Sequence, residues 1–266
     1  MKLTMLGTGN AHVTECYNTC FLIEDEGQLF MVDGGGGNTI FHQIKYAGYD
    51  WRDIHHIFVT HKHIDHLLGV LWIVRLICKY MRHGEYDGEA YIYSHAEVLG
   101  LIRDMAGKLL SKKDSVFIDD KLHLVEVSDG ESRDIIGHEV TFFDIQSTKA
   151  KQFGFRMDMG SGKILTCCGD EPLPSDLEHY AAGSEWMLHE AFCLYSQADI
   201  FKPYEKHHST VKDACELAER LGVRNLLLYH TEDRNFPNRK ALYMEEGQQY
   251  YHGKLWIPDD LETMEL

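Results

Sequence analysis

The chain has 266 residues, of which 44% are hydrophobic and 26% are charged, so it is long enough to bury a large core. Its 42 acidic and 26 basic residues give a formal net charge of −16, which disfavours general nucleic-acid binding and adhesion to anionic membranes. The start of the chain does not resemble a signal peptide, no apolar run reaches the roughly 18 residues that span a bilayer, and no two cysteines form a CxxC pair. We therefore expect a cytoplasmic protein with reduced thiols.

Short apolar runs alternate with segments of helical spacing along the first half of the chain. The runs predict strands over 2–8, 18–25, 28–35, 54–60 and 89–94. The helical spacing predicts helices over 38–49, 65–81 and 95–110.

The second half repeats this alternation. Strands are predicted over 139–145, 153–158, 163–170, 185–191 and 225–231. The first two of these are close enough in sequence to form a hairpin. Helices are predicted over 210–222, with Thr210 or Ser209 as the N-cap, and over 239–251. The pattern favours a single α/β (α+β) domain, residues 1–266, with two similar halves (1–130 and 131–266) and two mixed sheets packed face to face between outer helices.

A carboxylate or an imidazole marks the end of five of the predicted strands, directly after each apolar run. These residues are Asp33, His61, Asp170, Glu190 and His230. Strand ends at one edge of a sheet can meet from distant parts of the chain, and loops there leave side chains accessible. The repetition therefore indicates a functional site rather than isolated structural residues.

The stretch IFVTHKHIDHLLG, residues 57–69, contains the densest group of such side chains. His61 and His63 are two positions apart, so in an extended segment both imidazoles face the same way and can bind one ion. Asp65 and His66 fall where the chain enters the next helix and can face a second ion. Imidazole and carboxylate ligands suit zinc, with manganese and iron as alternatives.

This stretch resembles the H-x-H-x-D-H signature of the metallo-β-lactamase superfamily. In this chain the signature corresponds to His61-Lys62-His63-Ile64-Asp65-His66. Further segments are similar to those of ribonuclease Z and its relatives. These are the opening MKLTMLGTGNA, FMVDGGGGNTI, CCGD, LHEAF, HHSTVKDACELA and LLLYHTEDR. Together they span nearly the whole chain. The resemblance implies a four-layer αββα sandwich and, as in many relatives, a homodimer.

The resemblance also implies a division of the metal ligands. His61 and His63 would bind metal one, and Asp170 would bridge the two ions. The ligands of metal two would be Asp65, His66 and His230. The ions would activate a bound water, which Asp65 would also orient and could deprotonate as a general base.

The resemblance gives roles to three further residues. Glu190, in LHEAF, would orient His208, in HHSTV, so that His208 stabilises the transition state or protonates a leaving oxygen. Asp33 would brace a ligand loop rather than bind metal. The four glycines at 34–37 would let the backbone pass close to that loop.

The sequence departs from the ribonuclease Z pattern at two places. Relatives carry a third histidine for metal one in the loop before the Gly-Phe pair. Here that loop contains no histidine, and Gln146 lies about where the ligand is expected, which predicts a weak, displaced or absent metal one. In addition, only RMDMGSGK separates FGF from ILTCCGD, where ribonuclease Z usually has a long arm that grips tRNA.

These departures favour a metal-dependent hydrolase of a small phosphodiester or related ester. A ribonuclease Z-like endonuclease for RNA 3′ ends is the first alternative, although nucleic acid is the less favoured partner. A catalytically weak metal-binding protein is the second. The sequence leaves open the substrate, the native metal, the occupancy of metal one and the oligomeric state.

Overall fold

A computed structural model describes residues 1–266 and separates the chain into two compact units. The first unit comprises Met1–Gly7, Tyr17–Ser128 and Leu261–Leu266, and the second comprises Thr8–Cys16 and Asp129–Asp260. Each unit contains one sheet of seven strands. None of the helices is both long enough and apolar enough to cross a membrane.

Fourteen strands and seven helices make up the regular structure. The strands are β1 (Lys2–Gly7), β2 (Cys20–Asp25), β3 (Gln28–Val32), β4 (Ile54–Phe58), β5 (Ala90–Ser94), β6 (Leu122–Glu126), β7 (Ser132–Ile135), β8 (His138–Asp144), β9 (Phe153–Asp158), β10 (Ile164–Cys167), β11 (Trp186–Glu190), β12 (Asn225–Tyr229), β13 (Lys254–Trp256) and β14 (Thr263–Glu265). The helices are α1 (Ile40–Tyr46), α2 (Ile64–His83), α3 (Ala96–Leu109), α4 (Lys112–Ser115), α5 (Ala198–Phe201), α6 (Val211–Arg220) and α7 (Arg239–Gly247).

The sheet of the first unit has the strand order β14-β1-β2-β3-β4-β5-β6. Its first four strands pair antiparallel, and the pairs from β3 to β6 are parallel. Apolar side chains from one face of this sheet, such as Met31 and Ile57, share a buried cluster with Val70 and Ile73 of α2. The buried β4 therefore leads into a buried helix, and the short link between them fixes the predicted histidine cluster.

The sheet of the second unit has the strand order β13-β12-β11-β10-β9-β8-β7. As predicted, β8 and β9 form an antiparallel hairpin, with Val140 opposite Met157. Strands β10 to β13 are parallel neighbours. Helix α6 begins after Thr210, whose hydroxyl accepts a hydrogen bond from the backbone amide of Asp213. The Asp213 carboxylate in turn accepts a hydrogen bond from the backbone amide of Thr210. The N-cap is therefore Thr210 rather than Ser209.

The strands missed by the sequence prediction are the four edge strands. Strands β14 and β6 border the first sheet, and β13 and β7 border the second. Each has three to five residues with several exposed or half-exposed positions. Edge strands are held by pairing with one neighbour and need little apolar character of their own. Hydrophobic patterning therefore predicts the ten inner strands and misses the borders.

Candidate metal centre and active site

In the first unit, the predicted cluster converges at the link between β4 and α2. His61 Nε2 lies 2.8 Å from His63 Nδ1, and the rings of His61 and His66 have centroids 4.2 Å apart. Asp65 and His66 occupy the first turn of α2, where His66 Nε2 is 3.4 Å from Asp65 Oδ2. His61, Asp65 and His66 are all buried. Three imidazoles and one carboxylate thus meet within a single short stretch.

Asp33 and Thr60 orient two of these imidazoles by contacting their Nδ1 atoms. The Asp33 carboxylate accepts hydrogen bonds of 2.8 Å from the amide and from the hydroxyl of Thr60, and it lies 2.7 Å from His66 Nδ1. The Thr60 hydroxyl is also 2.9 Å from His61 Nδ1. Because the Nδ1 atoms of His61 and His66 contact these partners, the Nε2 atoms are the ones presented to the cluster. This is the usual support of metal-binding histidines.

The glycine run crosses closely over the start of α2. The Gly34 amide donates to the His66 carbonyl at 2.9 Å, and the Gly69 amide donates to the Gly35 carbonyl at 2.8 Å. A Cβ atom on Gly69 would lie 1.7 Å from the Gly34 carbonyl oxygen, which no side chain can tolerate. The glycines therefore permit close backbone packing that holds the helix start in place.

In the second unit, Asp170 and His230 lie beyond the ends of β10 and β12. Their side chains are buried, and His230 Nε2 lies 3.5 Å from Asp170 Oδ2. The other oxygen of Asp170 accepts a hydrogen bond from the side-chain amide of Gln152. His230 has a φ of +56°, an uncommon backbone conformation for a residue other than glycine. Such positions are typical of residues that the surrounding structure holds for function.

Glu190 and His208 form a buried pair in the same unit. Glu190, at the end of β11, is fully buried, and one of its oxygens accepts a hydrogen bond from the Ser209 amide. Its other oxygen lies 3.6 Å from His208 Nδ1, the distance of an ion pair. The His208 ring stacks on Phe192 with centroids 4.8 Å apart and an interplanar angle of 9°.

The Glu190 carboxylate affects the pKa of His208. Burial alone would lower the pKa of His208, but the Glu190 carboxylate, with Asp170 nearby, outweighs burial and raises that pKa above its usual value. A protonated His208 can donate a proton or stabilise negative charge. Glu190, His208 and His230 also each present one ligand atom, and these atoms lie within 4.8 Å of one another.

Gln146 does not lie where the sequence analysis placed it. Its side chain is exposed and donates to Asp176 at 2.9 Å. The glutamine beside Asp170 is Gln152, which is 1% exposed. The error arose because the loop from Asp144 to Gln152 turns sharply at Gln146, where φ is +59°. Counting positions back from the Gly-Phe pair could not anticipate that turn.

Both units also contain supporting residues that were not predicted from the sequence. Thr60 could have been noticed, because it immediately precedes the histidine motif. Gln152 and Phe192 carry no sequence signal for their contacts with Asp170 and His208. His189 is buried, with its Nδ1 2.7 Å from the Glu190 carbonyl oxygen, and belongs to the strand rather than the site.

The donor set in each unit fits a transition-metal ion. Both sets combine imidazole nitrogens with carboxylate oxygens, are largely buried, and have their outer atoms engaged by neighbouring side chains. Zinc, manganese and iron all accept such ligands. Histidine and aspartate clusters of this density are costly to bury without a function.

Known proteins resemble the whole chain. Ribonuclease Z of Nitrosopumilus maritimus is 26% identical over 306 residues, which covers 98% of this chain and 99% of the relative. The structure of the metallo-β-lactamase fold protein YhfI from Bacillus subtilis matches with a TM-score of 0.79, at 14% identity, and covers 99% of this chain and 98% of YhfI. A diphosphatase of the PhnP family matches with a TM-score of 0.74, at 16% identity, over 100% of this chain and 97% of that protein.

These likenesses confirm the predicted fold, with its two mixed sheets and flanking helices, as the metallo-β-lactamase fold. The chain is a ribonuclease Z-like, metal-dependent hydrolase of the metallo-β-lactamase superfamily. Within that class, the sequence signature of the anti-Pycsar protein Apyc1 matches residues 1–250. The chain belongs to the Apyc1 family.

Proposed function

We propose that this hydrolase cleaves a small phosphodiester or a related ester with the help of one or two metal ions, preferably zinc. His61 and His63 would hold metal one, and Asp65, His66 and His230 would hold metal two. Asp170 would be available to both ions. The assignment is supported by the convergence of donor atoms within each unit and by the family match over residues 1–250.

Bound divalent ions would supply Lewis acidity and ease the ionisation of an attacking water. The protein side chains supply the rest of the chemistry. Asp65 orients the water and accepts its proton. His208, whose pKa the Glu190 carboxylate raises, binds a phosphoryl oxygen as negative charge develops and, in its protonated form, donates a proton to the leaving oxygen.

One structural feature carries the choice of a small substrate. Strands β9 and β10 are joined by a tight turn in which the Met159 amide donates to the Lys163 carbonyl at 2.9 Å. Only residues 159–163 separate the two strands, so this connection has no room for a nucleic-acid-gripping arm. The net charge of −16 also opposes binding to an extended phosphate backbone. A compact anion does not need such a surface.

The second candidate is an endonuclease for RNA 3′ ends. It is favoured by the similarity to the ribonuclease Z of Nitrosopumilus maritimus along nearly the entire length of both chains. A protein without the arm would need a different recognition surface for RNA. A catalytically weak metal-binding protein remains the third candidate, and it predicts bound metal without turnover.

A substrate panel separates these candidates. The purified protein, loaded in turn with zinc, manganese and iron, would be given bis-p-nitrophenyl phosphate, 3′,5′-cyclic mononucleotides and a precursor tRNA. We expect turnover of one or more small phosphodiesters and little cleavage of the tRNA. Preferential cleavage of tRNA would favour the endonuclease, and bound metal with no turnover of any substrate would contradict both enzymatic candidates.

Three finer properties belong to the same proposal. We propose zinc as the native metal, a homodimer as the assembled form and the cytoplasm as the location. Elemental analysis of protein purified without added metal tests the first. Light scattering tests the second, and fractionation of the source cells tests the third.

A further inference from the structure

Lys149 joins three separate segments of the second unit. It lies in the loop between β8 and β9, and its ammonium donates to the Lys206 carbonyl at 2.6 Å. The same ammonium is 3.2 Å from Glu171 Oε1, in the turn that follows β10. Glu171 is adjacent to Asp170, and Lys206 lies two positions before His208. Two of the segments that Lys149 joins therefore carry proposed site residues.

The contact at Lys206 leads directly to His208. The Lys206 ammonium lies 4.8 Å from the centroid of the Phe192 ring, and that ring stacks on His208. The backbone of Lys206 is thus held by Lys149, while its side chain rests on the ring that supports His208. Movement of this short turn would disturb the His208 ring through the chain and through Phe192.

The turn that bears Lys206 needs an external support. It is a single short turn over Tyr204–Lys206, followed by His207 with a φ of +56°. Left-handed backbone at a residue other than glycine costs energy and persists only where the surroundings hold it. Within the turn, the His208 amide donates to the Pro203 carbonyl at 3.0 Å. Lys149 adds the hydrogen bond to the carbonyl that faces the β8–β9 loop.

The position of the ammonium is itself fixed. Glu171 is 7% exposed, and its Oε1 also accepts a hydrogen bond of 2.9 Å from the Ser147 hydroxyl. The Ser147 hydroxyl oxygen in turn accepts from the Lys149 amide at 3.2 Å. The buried carboxylate and the hydroxyl therefore set where the Lys149 side chain begins and where its charge lies. Such an arrangement gives the lysine a defined geometry instead of a freely moving surface charge.

We propose that Lys149 is a positioning residue for His208, acting through the carbonyl of Lys206 and the stack on Phe192. The inference rests on the proposed phosphodiesterase function, in which His208 acts on the phosphoryl group. Because Lys149 acts on placement rather than on substrate binding, its loss should lower kcat and leave KM and metal content nearly unchanged.

The test compares Lys149→Ala with Lys151→Ala in the full-length, metal-loaded protein. Lys151 lies in the same loop and carries the same charge, but it is exposed and its nearest carboxylate is Asp144, at 3.7 Å. Wild-type turnover of bis-p-nitrophenyl phosphate is measured first, so that failure of the proposed function is recognised separately. We expect Lys149→Ala to lower kcat about 10-fold with KM within about 2-fold, and Lys151→Ala to match the wild type.

A conservative variant and a second measurement complete the test. Lys149→Arg keeps a cationic donor and should recover most of the lost kcat, whereas Lys149→Met keeps the length without the hydrogen bond and should not. Elemental analysis should give equal metal content for all variants. A raised KM at unchanged kcat would identify Lys149 as a substrate contact and overturn the proposal. Equal kcat in Lys149→Ala and Lys151→Ala would also overturn it.

Discussion

The two units gather their candidate ligands in different ways. In the first unit, four candidate ligands lie within the six residues of the segment 61–66. In the second unit, the candidates are spread over 60 positions between Asp170 and His230, where Asp170 and His230 follow β10 and β12 and Glu190 ends β11. Those three strands are parallel neighbours, so their carboxyl ends lie at one edge of the sheet. A local sequence motif therefore gathers the candidate ligands of the first unit, and strand topology gathers those of the second.

The support of the ligands differs as well. In the first unit, side chains fix the imidazoles, since Asp33 contacts His66 and Thr60 contacts His61. In the second unit, backbone conformation and ring stacking contribute more to the placement of the side chains. His230 has a φ of +56°, and His208 stacks on Phe192. Substitutions that affect each kind of support should therefore have effects of different size.

The largest effect should follow loss of Asp65 from the first unit. Asp65→Ala removes a proposed ligand and the group that orients the water, while the helix that carries it stays packed through its apolar face. We expect kcat/KM to fall by more than about 100-fold, because even the partners of metal ligands are worth about 10- to 100-fold. Metal analysis should show loss of bound ion.

The exposed Asp87 provides the matched control for this prediction. Asp87→Ala should retain wild-type activity and metal content, and circular dichroism should show that both variants are folded. Turnover by Asp65→Ala close to that of Asp87→Ala would mean that the motif at 61–66 does not bind the metal needed for activity.

The next largest effect concerns the second unit. His208→Ala should lower kcat by about 10²- to 10⁴-fold, the range typical of a general acid. Adding Glu190→Ala should cost little more, because Glu190 acts through His208 and residues that act as a unit are non-additive. Steady-state kinetics on the two single variants and the double variant measure this coupling. Independent, multiplying losses would contradict it.

The same contrast explains what the sequence could predict. The motif at 61–66 was recognisable from spacing alone, since imidazoles two apart on an extended segment face one way. Asp170, Glu190 and His230 could be suspected at strand ends, but their roles came only from resemblance to known enzymes. Their convergence depends on the order of strands in the sheet, which spacing does not encode.

Contacts within loops were less predictable still. Gln152, rather than Gln146, donates to Asp170, because the loop reverses at a positive φ that no glycine or proline announces. The four edge strands were missed because short, half-exposed strands show little hydrophobic alternation. Sequence patterns thus predict buried, regular segments well and irregular ones poorly.

A smaller effect should come from the residues behind the first unit's imidazoles. Asp33→Ala leaves His66 without its carboxylate partner, and we expect metal affinity to fall by about 10- to 100-fold. Thr60→Val keeps the side-chain volume, removes the hydroxyl beside His61, and should have a milder effect of the same kind. Competition with a chromogenic chelator measures both affinities. Unchanged affinity in Asp33→Ala would mean that His66 is not a ligand.

The smallest effect should be at Gln146, the residue that the sequence places about where a third histidine ligand of metal one is expected. The side chain is exposed and bonds to Asp176, and histidine tolerates the left-handed backbone found there, so Gln146→His should fold normally. We expect its free energy of unfolding to change by about 0.5 kcal/mol or less, as for other surface substitutions. Metal affinity and kcat/KM should stay within about 2-fold of the wild type, because no donor is added beside Asp170.

Gln152→Ala, which does remove a contact to Asp170, serves as the comparison and should weaken metal binding measurably. A clear gain in metal affinity in Gln146→His, measured by titration calorimetry, would show instead that the loop can bring residue 146 within reach of the metal.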